Sequence, residues 1–309
     1  MILPPGSAPP VPGTGRLAGS SVATSVRTLE QDASLRPVEI VLLGYSVLVA
    51  LVAGVRAPEL PGWEWLIIAH GLLFVLFGLF LLQRPGQGGV LRELTPLLLL
   101  FGLYAELDVL SSTSPVIYDD IVQGWEAAIF GGQPSRDWWR AWPSPLWSTI
   151  LHGAYLGYYL ILAGPPIWFA VRRDFPALRR FMLMVMTTFV VCYIVFIFAP
   201  VAGPYYMFPR PEGPFVDNPM ARLVYGALSG GSSYGAAFPS SHVAATAAAL
   251  AASWRASPMV GRILVIPTAL LFISVVYCQM HYAVDAIAGL ALGLAIAGVI
   301  LKTETDSRR

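Results

Sequence analysis

Residues 235–254 read GAAFPSSHVAATAAALAASW, and after another apolar run residues 276–289 read VYCQMHYAVDAIAG. Each stretch carries one histidine, His242 or His281, at the edge of a long apolar segment. Asp285 follows His281 by four residues, so on a helix the two side chains share a face and can touch. Histidine and aspartate are costly inside a membrane and usually serve a function there. We therefore interpret His242, His281 and Asp285 as one active site.

The composition indicates a membrane protein. Of the 309 residues, 56% are hydrophobic and only 12% are charged, whereas soluble domains carry about 25% charged residues. A net charge of +1 gives no case for nucleic acid or another polyanion as a partner. The two cysteines, Cys192 and Cys278, lie inside apolar runs and are interpreted as small buried hydrophobes.

The spacing of apolar residues predicts an all-α polytopic membrane protein. Residues 1–36, rich in Pro, Gly and Ser, are expected to be a disordered cytoplasmic tail, and residues 302–309 a second tail. Two helices in 37–93 precede a six-helix catalytic core over 94–301. Runs of about 17–25 apolar residues mark the spans, and eight are expected, with six or seven as the alternative: 38–55, 63–83, 94–112, 146–171, 178–200, 239–254, 262–280 and 282–301.

The basic residues predict the orientation in the membrane. With the N-terminus inside, fourteen of the 19 Lys and Arg residues lie on the inner side and five on the other. Both termini are therefore expected to be cytoplasmic, with the cell membrane as the location. The loops 112–145 and 200–239 and the turn 280–282 then lie outside, so both histidines open their helices from the extracytoplasmic face.

Residues 118–147, YDDIVQGWEAAIFGGQPSRDWWRAWPSPLW, combine five tryptophans with charges of both signs. Such a composition is typical of a helix and turn in the membrane interface, with the indole rings at headgroup level. We interpret it as a structural belt, with a lid or lipid-entry gate above the site as the alternative.

The Pro239-Ser240-Ser241-His242 sequence has the groups that phosphoryl transfer needs. Proline suits the first turn of a helix, and the free N–H groups of that turn form an anion site. Two serine hydroxyls add donors, and His242 is placed to protonate a leaving oxygen. A carboxylate beside His281 would hold one imidazole tautomer and leave the other nitrogen as a nucleophile. The small residues that follow allow another helix to pack closely.

These motifs resemble those of the PAP2 phosphatase/phosphotransferase superfamily. Its second motif, Pro-Ser-Gly-His, matches residues 239–242 with serine in place of glycine, and its third motif ends in His-x3-Asp, as in 281–285. The sequence HYAVD of residues 281–285 is similar to the corresponding motif of sphingomyelin synthases. Residues 119–135 and the tyrosine-rich run 152–159 resemble the inositol phosphorylceramide synthases and their bacterial relatives. The resemblance covers about residues 94–301.

The resemblance implies a role for each motif residue. His281 would attack phosphorus to form a phosphohistidine, oriented by Asp285, while His242 protonates the departing lipid oxygen and later deprotonates the incoming alcohol. Ser240 and Ser241 would hold the phosphate with the helix N–H groups. No metal or other cofactor is implied. Further candidates for phosphate or substrate binding are Arg210, Tyr205, Tyr206, His152 and Asp108.

Each of these further candidates also has a purely structural interpretation. An arginine at position 210 can contact lipid headgroups, and the two tyrosines can belong to an aromatic belt. His152 and Asp108 can serve helix packing or a solvated rim, as can Glu106. His70 is expected to be a hydrogen-bonded packing residue.

Two departures from the phosphatase pattern favour transfer over hydrolysis. Phosphatases of the superfamily carry Ser-Arg where this chain has Ser274 and Val275. If Arg210-Pro211 is the first-motif Arg-Pro, the expected lysine position is Gly203. A dianionic phosphate needs more positive charge than a phosphodiester, so losing two cations disfavours a simple phosphomonoesterase.

The preferred function is movement of a phospho-alcohol headgroup from a membrane phospholipid to a lipid or polyol alcohol. The enzymatic alternative is hydrolysis of a lipid phosphate or prenyl diphosphate. From other classes, four histidines could ligate haem in an electron carrier, or the chain could be a transporter or scaffold with a decayed site. The aspartate of the third motif and the PSSH helix start favour phosphate. The sequence does not indicate the oligomeric state.

Overall fold

The computed structural model describes residues 34–83, 89–111, 117–229 and 233–306, so residues 1–33 of the expected N-terminal tail lie outside it. The described residues form helices joined by loops, with a single isolated β-bridge and no strand. The helices are α1 Pro37–Val55, α2 Trp63–Leu82, α3 Gly89–Ser111, α4 Asp119–Phe130, α5 Pro134–Ala141, α6 Pro145–Val171, α7 Phe175–Phe198, α8 Pro204–Met207, α9 Pro219–Ser229, α10 Ser241–Ala256, α11 Pro258–Tyr277 and α12 Ala283–Asp306.

The predicted fold class, an all-α polytopic membrane protein, is confirmed. Among the described residues, seven helices (α1, α2, α3, α6, α7, α11 and α12) are long and apolar enough to cross a membrane. The remaining predicted span, 239–254, forms α10, which has only 16 residues. At 1.5 Å per residue it is about 24 Å long, shorter than a hydrocarbon core of about 30 Å. It packs against α7, α11 and α12, inside the bundle.

Two predicted boundaries differ from the structure. The third helix begins at Gly89 rather than residue 94, so the expected boundary between 93 and 94 lies inside α3. The last helix continues to Asp306, through residues expected to be a tail. Arg180 of α7 lies 2.8 Å from Glu304 of α12, and this ion pair stabilises the extra turns.

Close packing of α12 against α10 forms the centre of the bundle. A Cβ atom added at Gly289 would overlap the carbonyl oxygen of Ser240, and one at Gly293 would overlap that of Ala244. Only glycine lets the two backbones come this close. The helix that packs closely against the small residues of α10, as the sequence predicts, is therefore α12.

Successive long helices run in opposite directions, so their connecting loops lie at two opposite ends of the bundle. The end at which α6, α10 and α12 begin is called the site end here. At the opposite end, a buried ion pair joins α3 to α1, Arg92 to Glu39 at 2.7 Å, and a partly buried one joins α7 to α3, Arg179 to Glu93 at 2.7 Å. Buried charges are tolerated when they are paired in this way.

Candidate active site

Backbone hydrogen bonds join the loops before α10 and α12 at the site end. The Val201 N–H donates to the Gly235 carbonyl (3.1 Å), and the Ala237 N–H donates to the Val201 carbonyl (2.9 Å). The Ser240 N–H donates to the Asp285 carbonyl (3.0 Å). These bonds fix the second motif relative to the third.

The two motif histidines lie side by side at this junction. His281 Nε2 is 3.3 Å from His242 Nδ1, although 39 residues separate them in the chain. His281 Nδ1 lies 3.0 Å from the Ala237 carbonyl oxygen. A carbonyl only accepts hydrogen bonds, so Nδ1 carries the proton and Nε2 keeps its lone pair. His281 thus has a nucleophilic nitrogen directed at His242.

Asp285 lies beside His281 without the direct hydrogen bond that the sequence suggested. Its Oδ2 is 3.6 Å from His281 Nδ1 and accepts the Tyr282 N–H at 2.9 Å. An i, i+4 contact requires both residues to lie on one helix, but α12 begins only at Ala283, after His281. The Ala237 carbonyl oxygen accepts the Nδ1–H hydrogen bond instead, and the fully buried Asp285 side chain lies beside the ring without bonding to it.

His242 packs against two tyrosines of α6. The ring centroids of Tyr155 and Tyr158 lie 5.1 Å and 4.5 Å from that of His242, and the Tyr155 hydroxyl lies 3.2 Å from Nε2. A hydroxyl that donates to Nε2 leaves the His242 proton on Nδ1, facing His281. Sequence reasoning missed both tyrosines as site residues, although their i, i+3 spacing on an apolar helix was a usable signal.

The N-terminus of α10 provides hydrogen-bond donors beside the histidines. The helix begins at Ser241 rather than at Pro239, and the Ser240 hydroxyl caps it by accepting the Val243 N–H at 3.4 Å. The N–H groups of Ser241 and His242 belong to the first turn and have no intrahelical partner. Such groups bind anions, so the predicted phosphate-binding role of this turn fits the geometry.

The α4 residue Asp119 is a site element that sequence reasoning missed. Its buried carboxylate accepts the N–H groups of Ala202 (2.7 Å) and Gly203 (2.8 Å) and the Tyr282 hydroxyl (2.9 Å). One side chain thereby joins α4 to the loop that follows α7 and to Tyr282, the residue after His281. Because these partners are over 80 residues away in the chain, no local pattern reveals the role.

Glu126, two turns along the same helix, caps α12. Its fully buried carboxylate accepts the Ala283 N–H at 2.8 Å and the Ser135 hydroxyl at 3.2 Å. A carboxylate at a helix N-terminus also interacts favourably with the helix dipole. The tryptophan-rich stretch is therefore more than a belt, because its first helix holds the start of α12 in place.

We expect Glu126 to make stability depend on pH. Burial raises the pKa of this carboxyl above its ordinary value of 4.5. An acid with a raised pKa in the folded state stabilises the protein below the unfolded pKa and loses this contribution as pH rises through the folded pKa. Wild-type Tm, measured in detergent, should therefore fall as pH rises above 4.5, and Glu126→Gln should reduce that fall. An identical pH profile in the variant would contradict the assignment.

Gln279, two residues before His281, organises the turn at the end of α11. Its φ of +59° is in the left-handed region, and its side chain is buried. The side-chain oxygen of Gln279 accepts hydrogen bonds from Trp139 Nε1 and from the Arg140 guanidinium, at 3.0 Å each. Its side-chain NH₂ group donates to the backbone carbonyls of Pro204 and Pro209. Arg140 is thereby held beside the third motif, a position that sequence reasoning did not predict.

Positions 203 and 275, where the phosphatase pattern would have cations if Arg210-Pro211 is the first motif, are both closely packed. Gly203 has a φ of +91°, and a Cβ added there would lie 2.8 Å from the Ala237 Cβ, so a lysine does not fit. Val275 is fully buried in α11, where an unpaired arginine would be costly.

The candidates of the loop that follows α7, Arg210, Tyr205 and Tyr206, lie together. The Arg210 guanidinium stacks over the Tyr205 ring at 4.5 Å. The Tyr205 ring also contacts those of Tyr206 at 5.0 Å and Tyr225 at 6.2 Å. Arg210 is exposed, so it can swing toward a ligand.

His152 and Asp108 are not brought to the two motif histidines. His152 is fully buried, its Nδ1 lies 2.8 Å from the Ser148 carbonyl oxygen, and its ring contacts Phe215 and Tyr225. Asp108 is exposed on α3. These positions fit the packing and rim interpretations better than direct contact with a reacting phosphate.

A family model described as PAP2 superfamily matches residues 133–299, which is more than half of the 309 residues. No curated protein and no solved structure shows a significant match. The matched region contains both histidines and the aspartate of the third motif, and it excludes α1–α4. Membership of this family supports an activity of the phosphatase or phosphotransferase type on membrane lipids. The chain belongs to the PAP2 superfamily.

Proposed function

We propose that this protein moves a phospho-alcohol headgroup from a membrane phospholipid to an alcohol acceptor, at the extracytoplasmic face. The observation that supports it most is the pair of facing nitrogens, His281 Nε2 and His242 Nδ1, 3.3 Å apart beside the free N–H groups of α10. A nucleophile, a proton carrier and an anion site are the parts that phosphoryl transfer requires.

In the first step His281 Nε2 attacks phosphorus, and the bond from phosphorus to the lipid oxygen breaks. His242, protonated, gives its proton to that oxygen, so a neutral lipid alcohol leaves and the headgroup phosphate is bonded to His281. The Ala237 carbonyl accepts the Nδ1–H of the positively charged ring. The Asp285 carboxylate, 3.6 Å from that nitrogen, stabilises the charge.

In the second step the acceptor alcohol gives its proton to neutral His242, and its oxygen attacks phosphorus. The N–P bond breaks, its electron pair returns to His281 Nε2, and a new phosphodiester is released. Water in place of the alcohol gives hydrolysis with the same residues. The nature of the acceptor pocket, rather than the catalytic residues, therefore separates a transferase from a phosphatase.

The histidines must move apart to admit the substrate. Attack begins with nitrogen about 3 Å from phosphorus, and the leaving oxygen must lie about 3 Å from the proton donor on the far side. Their present distance of 3.3 Å leaves no room for a phosphate between the rings. Turning of the His242 ring would require its contacts with Tyr155 and Tyr158 to give way.

The charges around the site support a phosphodiester as the donor. Position 203 has no room for a lysine side chain and position 275 is fully buried, while Asp119, Asp285 and Glu126 add buried carboxyl groups nearby. A dianionic monoester would meet fewer cations than it needs. A singly charged diester needs less positive charge around it, and the exposed Arg210 together with Arg140 can supply that charge.

The test is a transfer assay on the purified protein in detergent. Labelled phosphatidylinositol and labelled phosphatidic acid are incubated separately, with and without ceramide or inositol as acceptor, using wild type and His281→Ala. We expect a new labelled phosphodiester only from the diester donor with an acceptor present, and none from the variant. Release of phosphate from phosphatidic acid regardless of acceptor would replace transfer by hydrolysis.

A further inference from the structure

A second buried polar cluster lies in α1–α3, outside the family-matched region. Glu106 of α3 receives the Tyr45 hydroxyl of α1 at 2.7 Å and lies 2.8 Å from His70 Nε2 of α2. All three side chains are buried. Phosphoryl transfer makes no use of this cluster, and ionisable groups inside a membrane usually have a function of their own.

The proton count of the cluster makes His70 Nδ1 a hydrogen-bond donor. An unpaired net charge is costly in a membrane interior, so His70 and Glu106 together are neutral. Either an imidazolium faces a carboxylate, or the protonated carboxyl donates to Nε2, since the Tyr45 hydroxyl already donates to the other oxygen. In both arrangements Nδ1 carries a hydrogen, and this buried atom has no partner among the described residues.

A groove adjoins this unpaired donor. It lies between α1 and α2, has a volume of about 320 Å³ and includes His70, Ser46, Gly71 and Phe74 in its lining. The Ser46 hydroxyl is already bonded to the Leu42 carbonyl at 2.8 Å, so it does not satisfy His70. The remaining lining is apolar, and Gly71 and Phe74 are exposed on the outer surface of the bundle, where lipid is the solvent.

We propose that this groove binds an uncharged membrane lipid, whose hydroxyl or carbonyl oxygen accepts the His70 Nδ1–H. The ring belongs to the eighth residue of α2, about 10 Å along the helix from its start. A charged headgroup would stay at the surface, whereas a lipid without one can bring an oxygen to that depth. The apolar lining then contacts its hydrocarbon chain. The proposal holds whether the catalytic site transfers or hydrolyses.

Photolabelling of the full-length protein tests the groove. The probes are a diacylglycerol with a diazirine in one acyl chain and a diazirine alkane without oxygen, each in nanodiscs of ether-linked phosphatidylcholine. Gly71→Leu would fill the groove without touching the polar cluster, because a Cβ there meets nothing within 4 Å. Gly78→Leu is its matched control, on the same helix with the same open space but outside the groove lining. His70→Phe removes the donor.

In wild type and Gly78→Leu we expect the diacylglycerol to label the α2 peptide several-fold more than the alkane does. Gly71→Leu and His70→Phe should reduce diacylglycerol labelling to the alkane level. Equal labelling of wild type by both probes would overturn the proposal, because ordinary chains would then fill the groove. Undiminished diacylglycerol labelling of Gly71→Leu would overturn it as well. If His70→Phe fails to fold, the comparison of Gly71→Leu with Gly78→Leu still tests whether the groove binds the lipid.

Discussion

Replacing His281 by alanine should reduce turnover by a factor on the order of 10⁶, because the variant has no nucleophile and removal of a covalent nucleophile costs about this much in other enzymes. His242→Ala should lose less, about 10²–10⁴-fold, the usual value for a general acid or base. The two variants should also differ in whether they form a phosphoenzyme. With labelled phospholipid, His242→Ala should still form a slow, acid-labile phosphoenzyme, whereas His281→Ala should form none.

The matched control is Lys302→Gln, at the opposite end of the bundle, which should have wild-type turnover. Thermal unfolding of each variant in detergent checks that the fold is intact. A labelled phosphoenzyme in His281→Ala would contradict the assignment of the nucleophile. Full activity in that variant would contradict the active site as a whole.

Replacing Gly293 by leucine should destabilise the bundle more than any other change of one glycine on α12. The added Cβ would overlap the backbone carbonyl of Ala244, and a backbone oxygen cannot turn aside as a side chain can. Overpacking of a core typically costs about 1–3 kcal/mol, and we expect at least the upper value here. Because α12 also carries Asp285 and follows His281, separation of α12 from α10 should lower activity too.

Thermal unfolding in detergent measures this effect, with Gly298→Leu as the control. Gly298 lies on the same helix, and a Cβ there meets nothing within 4 Å. We expect Tm to fall by several degrees in Gly293→Leu and by little in Gly298→Leu. Equal Tm values for the two variants would show that the close contact between α10 and α12 is not needed for stability.

The helices could be predicted well from the sequence because lipid imposes a simple rule. Every backbone polar group inside the hydrocarbon must be hydrogen-bonded within the protein, so long apolar runs become helices. Seven of the eight predicted runs are long helices of the described structure. The short α10 shows the limit of the rule, because a helix surrounded by other helices does not have to match the bilayer thickness.

The histidines and Asp285 were found because two motifs carry them in fixed local spacings. The contacts that orient them could not be found in this way. Asp119, Glu126 and Tyr155 reach the site from distant parts of the chain, and local spacing does not show which groups their side chains contact.

The reactive residues and the helical segments could be predicted from the sequence, since both follow from side-chain chemistry and local spacing. The way His281 is held depends instead on packing between distant parts of the chain. Its Nδ1 faces the Ala237 carbonyl at 3.0 Å, with Asp285 farther away at 3.6 Å. A backbone carbonyl is present at every residue, so no sequence pattern can mark the one that packing brings to the imidazole.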